Sequence, residues 1–154
     1  MADIEYTIEG MDELRDKASR VSGDLGSVVR KLLNDSVAGI EGKAKKLAPV
    51  DTGKLRSSIT HKVDSARIPL WSEAGTNVLY ARPVEFGSKP HWAPFRAFET
   101  WARRHHMNEA EVWWAVGTKG TKAHPFLMPA FEDSQGDIEA NLNEAKRTIE
   151  GMWD

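Results

Sequence analysis

The chain contains no cysteine in its 154 residues, which excludes disulfides, thiolate metal sites and cysteine nucleophiles together. It has almost no net charge. Twenty-one basic and 23 acidic side chains leave −2, so the surplus of positive charge expected of a polybasic nucleic-acid binder is missing. No window approaches the roughly 18 apolar residues that a membrane helix needs. "MADIEYTIEG" has no basic segment followed by an apolar run, so it does not read as a secretory signal. A soluble intracellular protein is the expectation. What is present suits it: the length fits one domain with its own core. The composition, 40% hydrophobic and 29% charged, is that of a globular chain.

Hydrophobic periodicity divides the chain. Ile4, Tyr6 and Ile8 alternate with polar residues, a short strand pattern ended by Gly10. From Gly26 the period becomes helical: Val29, Leu33, Val37, Ile40, Ala44 and Leu47 form one stripe of a long helix. Lysines crowd its last turns, where the helix dipole favours cations, and Pro49 forbids its continuation. "SSITHKV" and "LWSEAG", joined by the turn "DSARIP", predict a hairpin with Ile59, His61 and Val63 on one face. "NVLYARPVEFGSKPHWAP", with three prolines and a glycine, reads as a mostly irregular crossing.

Two short helices are expected next. "PFRAFETWARRHH" places Phe95, Phe98 and Trp101 at helical steps, and "NEAEVWWAV" opens with Asn108 as N-cap and Glu111 three residues on. "GTKGTKAH", residues 117 to 124, reads as a mobile loop. A final helix carries Phe131, Ile138, Leu142, Ala145, Ile149 and Met152, with a bend expected at Gly136. The sum is one α+β domain, 1–154: a small antiparallel sheet packed against two long helices, with a helical insertion at about 90–117 before the C-terminal helix.

Asp51-Thr52-Gly53 has the letters of an aspartic-protease motif. That chemistry needs two carboxylates sharing a proton in a dry cleft between apolar strands. Here the tripeptide follows a lysine-rich helix end and precedes Lys54 and Arg56, two cations that close enough would keep Asp51 ionised. The better reading is a corner, with Asp51 or Thr52 accepting backbone N–H bonds and Gly53 supplying backbone freedom. Arg103-Arg104-His105-His106 does not make a metal site by itself, because adjacent helical histidines point about 100° apart; it reads as solvated surface. "GTKGTK" lacks the spacing of a phosphate loop. No catalytic, cofactor or metal site is expected. Trp113 and Trp114 cannot share one core stripe, so one of them lies at an edge or against a partner, or both belong to a satellite core under the insertion.

Three ordered blocks, "AKKLAPVDTGKLRSSI" (44 to 59), "YARPVEFGS" (80 to 88) and "KAHPFLMPAFE" (122 to 132), resemble the minor tail-component proteins of long-tailed bacteriophages, the tail-completion or neck proteins of the head–tail joining region. The residues that carry the resemblance include Pro49, Asp51, Thr52, Gly53, Leu55, Arg56, Tyr80, Glu85, Phe86, Gly87, Pro125, Phe126 and Pro129. Ser88 stands where that family more often has threonine. The resemblance implies a non-enzymatic virion protein without cofactors, made in the bacterial host cytoplasm. It would assemble with itself as a ring, a hexamer, against the tail tube or tail terminator and the connector, with DNA passing through and no membrane involved. Arg56 and Glu85 are then expected to matter as charged partners, within a subunit or across the ring. A different class of function, a DNA-binding or nucleic-acid-processing accessory protein, would use Arg103 to His106.

Overall fold

A computed structural model describes residues 11–64 and 71–152, with side chains from residue 22 onward. The N-terminal strand pattern, most of the "DSARIP" turn and Trp153 lie outside the described residues. The first element, α1 (Met11–Leu47), is a single helix of 37 residues. It begins fifteen positions before the Gly26 from which a helical period was expected; Met11, Leu14, Ala18, Val21 and Leu25 carry the same steps of three and four upstream. Val37, Ile40 and Ala44 are buried on its inner face, and Ala48 beyond its end is buried as well. Leu47, expected on that stripe, is instead 45% exposed. Pro49 has no N–H to continue the ladder, and the chain turns away.

A one-turn helix, α2 (Lys54–Ser58), leads into β1 (Ile59–Asp64), which pairs antiparallel with β2 (Trp71–Thr76) in the register Ile59↔Thr76 to Asp64↔Trp71. This is the expected hairpin. Of its expected shared face, Ile59 is fully buried against α1, while His61 reaches Glu41 on α1. Lys45 meets the same carboxylate. The Lys45 and His61 hydrogen bonds hold the Glu41 pKa below its ordinary value despite the opposing cost of burial.

The expected irregular crossing contains a helix, α3 (Ala81–Phe86). Pro83 allows it because it sits in the first turn, where backbone N–H groups have no partner within the helix. Two helices follow as expected, α4 (Arg96–Arg104) and α5 (Glu109–Lys119). The Asn108 side chain accepts from the Ala110 and Glu111 amides, at 2.8 and 3.4 Å, as an N-cap should. Helix α5 runs through Lys119, so the first residues of the 117–124 stretch are helical.

The C-terminal stripe is divided into α6 (Leu127–Glu132) and α7 (Gln135–Glu150). The break falls at Asp133-Ser134, and Gly136 lies inside α7. Ser134 is buried and its hydroxyl donates to the Ala130 carbonyl at 2.7 Å, a bond that bends helices. Lys43 of α1 then donates to the freed Asp133 carbonyl at 2.6 Å and to the Asp137 carboxylate at 2.7 Å. One ammonium thus serves the C-terminal end of one helix and the N-terminal end of the next. Lys31–Glu144 and Ser36–Asn141 contacts lay α7 antiparallel along α1. The architecture is α+β: α1 crosses both strands and packs on α6 and α7.

Candidate assembly site

The three sequence blocks converge on one core. Ala44, Ala48, Leu55 and Ile59 come from the first, Ala81 from the second, and Phe126 and Ala130 from the third, joined by Ile40. Phe126, 1% exposed, is the largest side chain fully buried. What makes these distant segments one unit is a carboxylate. Glu85, only 6% exposed, accepts from the backbone amides of Phe126 and Leu127 at 2.8 and 3.0 Å and of Met128 at 2.9 Å. It stands at the start of α6 and satisfies the N–H groups that a helix N-terminus leaves without partners. Burial alone would raise its pKa, but the three amide bonds outweigh that and hold it below the ordinary carboxylate value.

The expected pairing of Glu85 with Arg56 is not made among the described residues. Arg56 is exposed on α2, and the Glu85 carboxylate is instead committed to three backbone amides. The sequence shows the glutamate; it does not show which backbone folds over it.

Asp51 has partners, but not the expected ones. Arg104 grips its carboxylate with two donors, Nε at 2.9 Å from Oδ1 and a terminal nitrogen on Oδ2, and His105 Nε2 lies 3.3 Å from Oδ1. Lys54 and Arg56 take no part, although the Lys54 amide reaches the Thr52 hydroxyl at 3.4 Å. Gly53 has φ +80°, the left-handed conformation that glycine adopts at little cost. The loop is the expected corner. The Arg103–His106 cluster is less idle than expected: Arg104 and His105 are held, His105 stacks on Trp101 at 4.3 Å, and His106 (φ +54°) ends α4. There the Met107 amide closes back on the Ala102 carbonyl.

Residues 88–121 form a lobe with a closed stem. Ser88 and Thr121 exchange backbone hydrogen bonds of 3.1 and 3.2 Å. A Cβ on Gly120 would lie 1.9 Å from the Ser88 carbonyl oxygen, and one on Gly87 2.6 Å from that of Thr121. Neither site admits a side chain. Inside the lobe Trp92 packs on Trp113 at 4.5 Å and on Trp114 at 5.7 Å, and the Trp113 indole donates to the Ala93 carbonyl at 2.9 Å. Both earlier readings of the tryptophans therefore hold in part: Trp113 belongs to a satellite core, and Trp114 is 61% exposed at its edge.

The motif residues thus separate by exposure. Leu55, Glu85 and Phe126 are interior, with Pro129 and Gly87 half-buried. Pro49, Asp51, Thr52, Arg56, Tyr80, Phe86 and Pro125 are on the surface. Phe86, 68% exposed, stands at the rim of an open apolar groove of about 750 Å³ between α1, β2, α3, α6 and α7. Phe131 and Leu142, expected on a buried stripe, face this groove and stay half-exposed. Among the described residues no group of His, Asp or Glu could hold a metal ion, and no helix is long and apolar enough to cross a membrane.

Residues 12–87 match the model of a family described as "Bacteriophage HK97-gp10, putative tail-component". No curated protein and no solved structure matches the chain. Over those residues the chain is similar to this family of phage tail components.

Proposed function

With a phage tail component as the premise, we propose that this protein is a tail-completion or neck part that works by assembling, six copies to a ring, where the tail tube meets the connector. Its partners are further copies of itself, the tail tube or tail terminator, and the connector. It has no catalytic step. The observation that carries the reading is the apolar groove rimmed by Phe86, Met128, Phe131 and Leu142, each about half or more exposed. A contiguous apolar surface of this kind marks an interaction site on a folded protein. Ring assembly uses heterologous contacts, one surface of a subunit against a different surface of the next. The Tyr80–Ser88 segment and the 117–124 stretch lie beside each other through the Ser88–Thr121 bridge and supply contact surface next to the groove.

The near-neutral charge of −2 supports a channel through which DNA passes without being gripped, since phosphate binding by counterion release would retard it. The DNA-binding alternative is weakened by the bidentate commitment of Arg104 to Asp51. That same neutralised carboxylate argues against hydrolysis at Asp51. The test is molar mass by light scattering after size exclusion, across a range of concentrations. The expected result is a discrete particle of about six 17.2 kDa chains, free of nucleic acid. A monomer at every concentration would remove self-assembly from the reading.

A further inference from the structure

Among the described residues β2 is paired only with β1, so its other edge presents backbone N–H and C=O groups without a ladder partner. That edge is a wall of the apolar groove. The β2 residues that line it are small, Ser72, Ala74, Gly75 and Thr76. A strand laid along this edge would complete the ladder, and large apolar side chains at every second position would fill the space that the small residues leave.

The sequence contains one such segment beyond the described residues: Ile4, Tyr6 and Ile8, alternating with Asp3, Glu5, Thr7 and Glu9. Reach decides which copy supplies the segment. From Met11 to Leu32, the level at which α1 enters the groove, the helix rises about 32 Å at 1.5 Å per residue. Ile4 lies seven residues before Met11 and, fully extended, reaches back only about 25 Å. Ile8 reaches about 10 Å by the same measure. Along a continuous α1, a chain's own segment does not arrive at its own β2. The upstream turns of α1 extend past the end of α7, whose Thr148 lies at the level of Val28.

We propose that residues 4–8 of one copy add as a strand to the free edge of β2 in a neighbouring copy, their three large apolar side chains seated in its groove. The inference rests on the ring reading and names its contact. Donation from each subunit to the next is a heterologous contact, the kind from which a ring is built when its rotation closes.

The absence of cysteine makes the test direct. Full-length Thr7→Cys and Glu73→Cys variants are prepared separately, mixed and oxidised. Thr7 and the exposed Glu73 fall on the outer face of the extended sheet, away from the groove, and a Glu5→Cys variant covers the neighbouring register. A cross-link between the two unlike variants is necessarily between copies, and it is the expected product. Tyr6→Asp in the full chain is expected to raise the concentration needed for assembly at least tenfold while leaving the far-ultraviolet dichroism unchanged. A normal oligomer that gives no unlike cross-link overturns this contact and leaves the ring. Cross-linking only within single chains of the Thr7→Cys/Glu73→Cys double variant overturns it too, by placing the segment on its own β2. Assembly of Tyr6→Asp at the wild-type concentration has the same consequence. A wild-type chain monomeric at every concentration removes both the contact and the ring.

Discussion

The body of the molecule and its lobe are held together by different means. In the body, aliphatic side chains from α1, α2, β1, α3 and α6 bury one another around Phe126, and Glu85, the one charged group beneath the surface among the described residues, has three amide partners. The lobe at 88–121 buries only Ala102, Val112 and Val116 among its apolar residues and leaves Trp92, Phe95, Trp101 and Trp114 more than a third exposed. Its attachments are polar: the Ser88–Thr121 bridge at the stem and the Arg104–Asp51 grip near the far end of α4. A core of dry aliphatic contacts sets the global stability, whereas a unit tied by surface hydrogen bonds opens locally at much lower cost. The comparison separates the part that carries global stability from a part that can open locally.

The largest effect is expected in the body. Phe126→Ala removes the largest fully buried side chain and should cost about 3–5 kcal/mol in chemical denaturation. Trp114→Ala in the lobe, 61% exposed, should stay within about 0.5–1 kcal/mol by the same measurement. Equal costs would mean that body and lobe form one cooperative core, and the distinction would fall.

Glu85→Gln sharpens the comparison because it tests the polar link inside the body without opening a cavity. At neutral pH it should cost about 2 kcal/mol, the scale of a charge-assisted hydrogen bond replaced by weaker ones. The sign of the pH dependence follows from the lowered pKa. The folded state binds fewer protons than the unfolded one between the folded pKa and the ordinary 4.5, so stability rises with pH across that interval. The difference between wild type and Glu85→Gln should be complete above 4.5 and shrink as pH falls through the folded pKa. Glu41, whose pKa is also lowered, chiefly by Lys45 and then His61, titrates in both proteins and cancels in the difference. A gap between the two denaturation curves that is flat from neutral pH to acid would show that the carboxylate's charge is not what α6 uses.

Much of the fold was legible in the sequence because its signals are local. The stripe Val37, Ile40, Ala44, the alternation about Ile59, the stop at Pro49, the left-handed Gly53 and the Asn108 cap each follow from spacing or from one residue's chemistry. Three features were not. Helix α3 was hidden because proline counts as a breaker unless its place in the first turn is known. The division at Ser134 depends on a hydroxyl turning to a carbonyl four residues back, and Lys43 arrives from 90 positions away to hold it. The partners of Asp51 and Glu85 lie 53 and about 42 residues distant, beyond any periodic signal. For the motif as a whole, spacing marked residues that act together, and only the fold divided them into an interior set and a surface set.

The smallest effect distinguishes the two regions most finely. Asp51→Asn leaves the corner's shape intact and removes the charge that Arg104 and His105 share. Those side chains are 42% and 40% exposed and that of Asp51 31%, so solvent screens the interaction and the global cost should be no more than about 1 kcal/mol. The lobe should respond out of proportion to that number. With only the Ser88–Thr121 stem left to hold it, α4 loses its contact with the loop after α1. Amide exchange in residues 96–107 should accelerate several-fold, while exchange in α1 and β1 stays as in the wild type. Uniform acceleration throughout would mean that Asp51 supports the body itself; unchanged exchange in α4 would mean that Trp92, Trp113 and the stem hold the lobe in place without the ion pair.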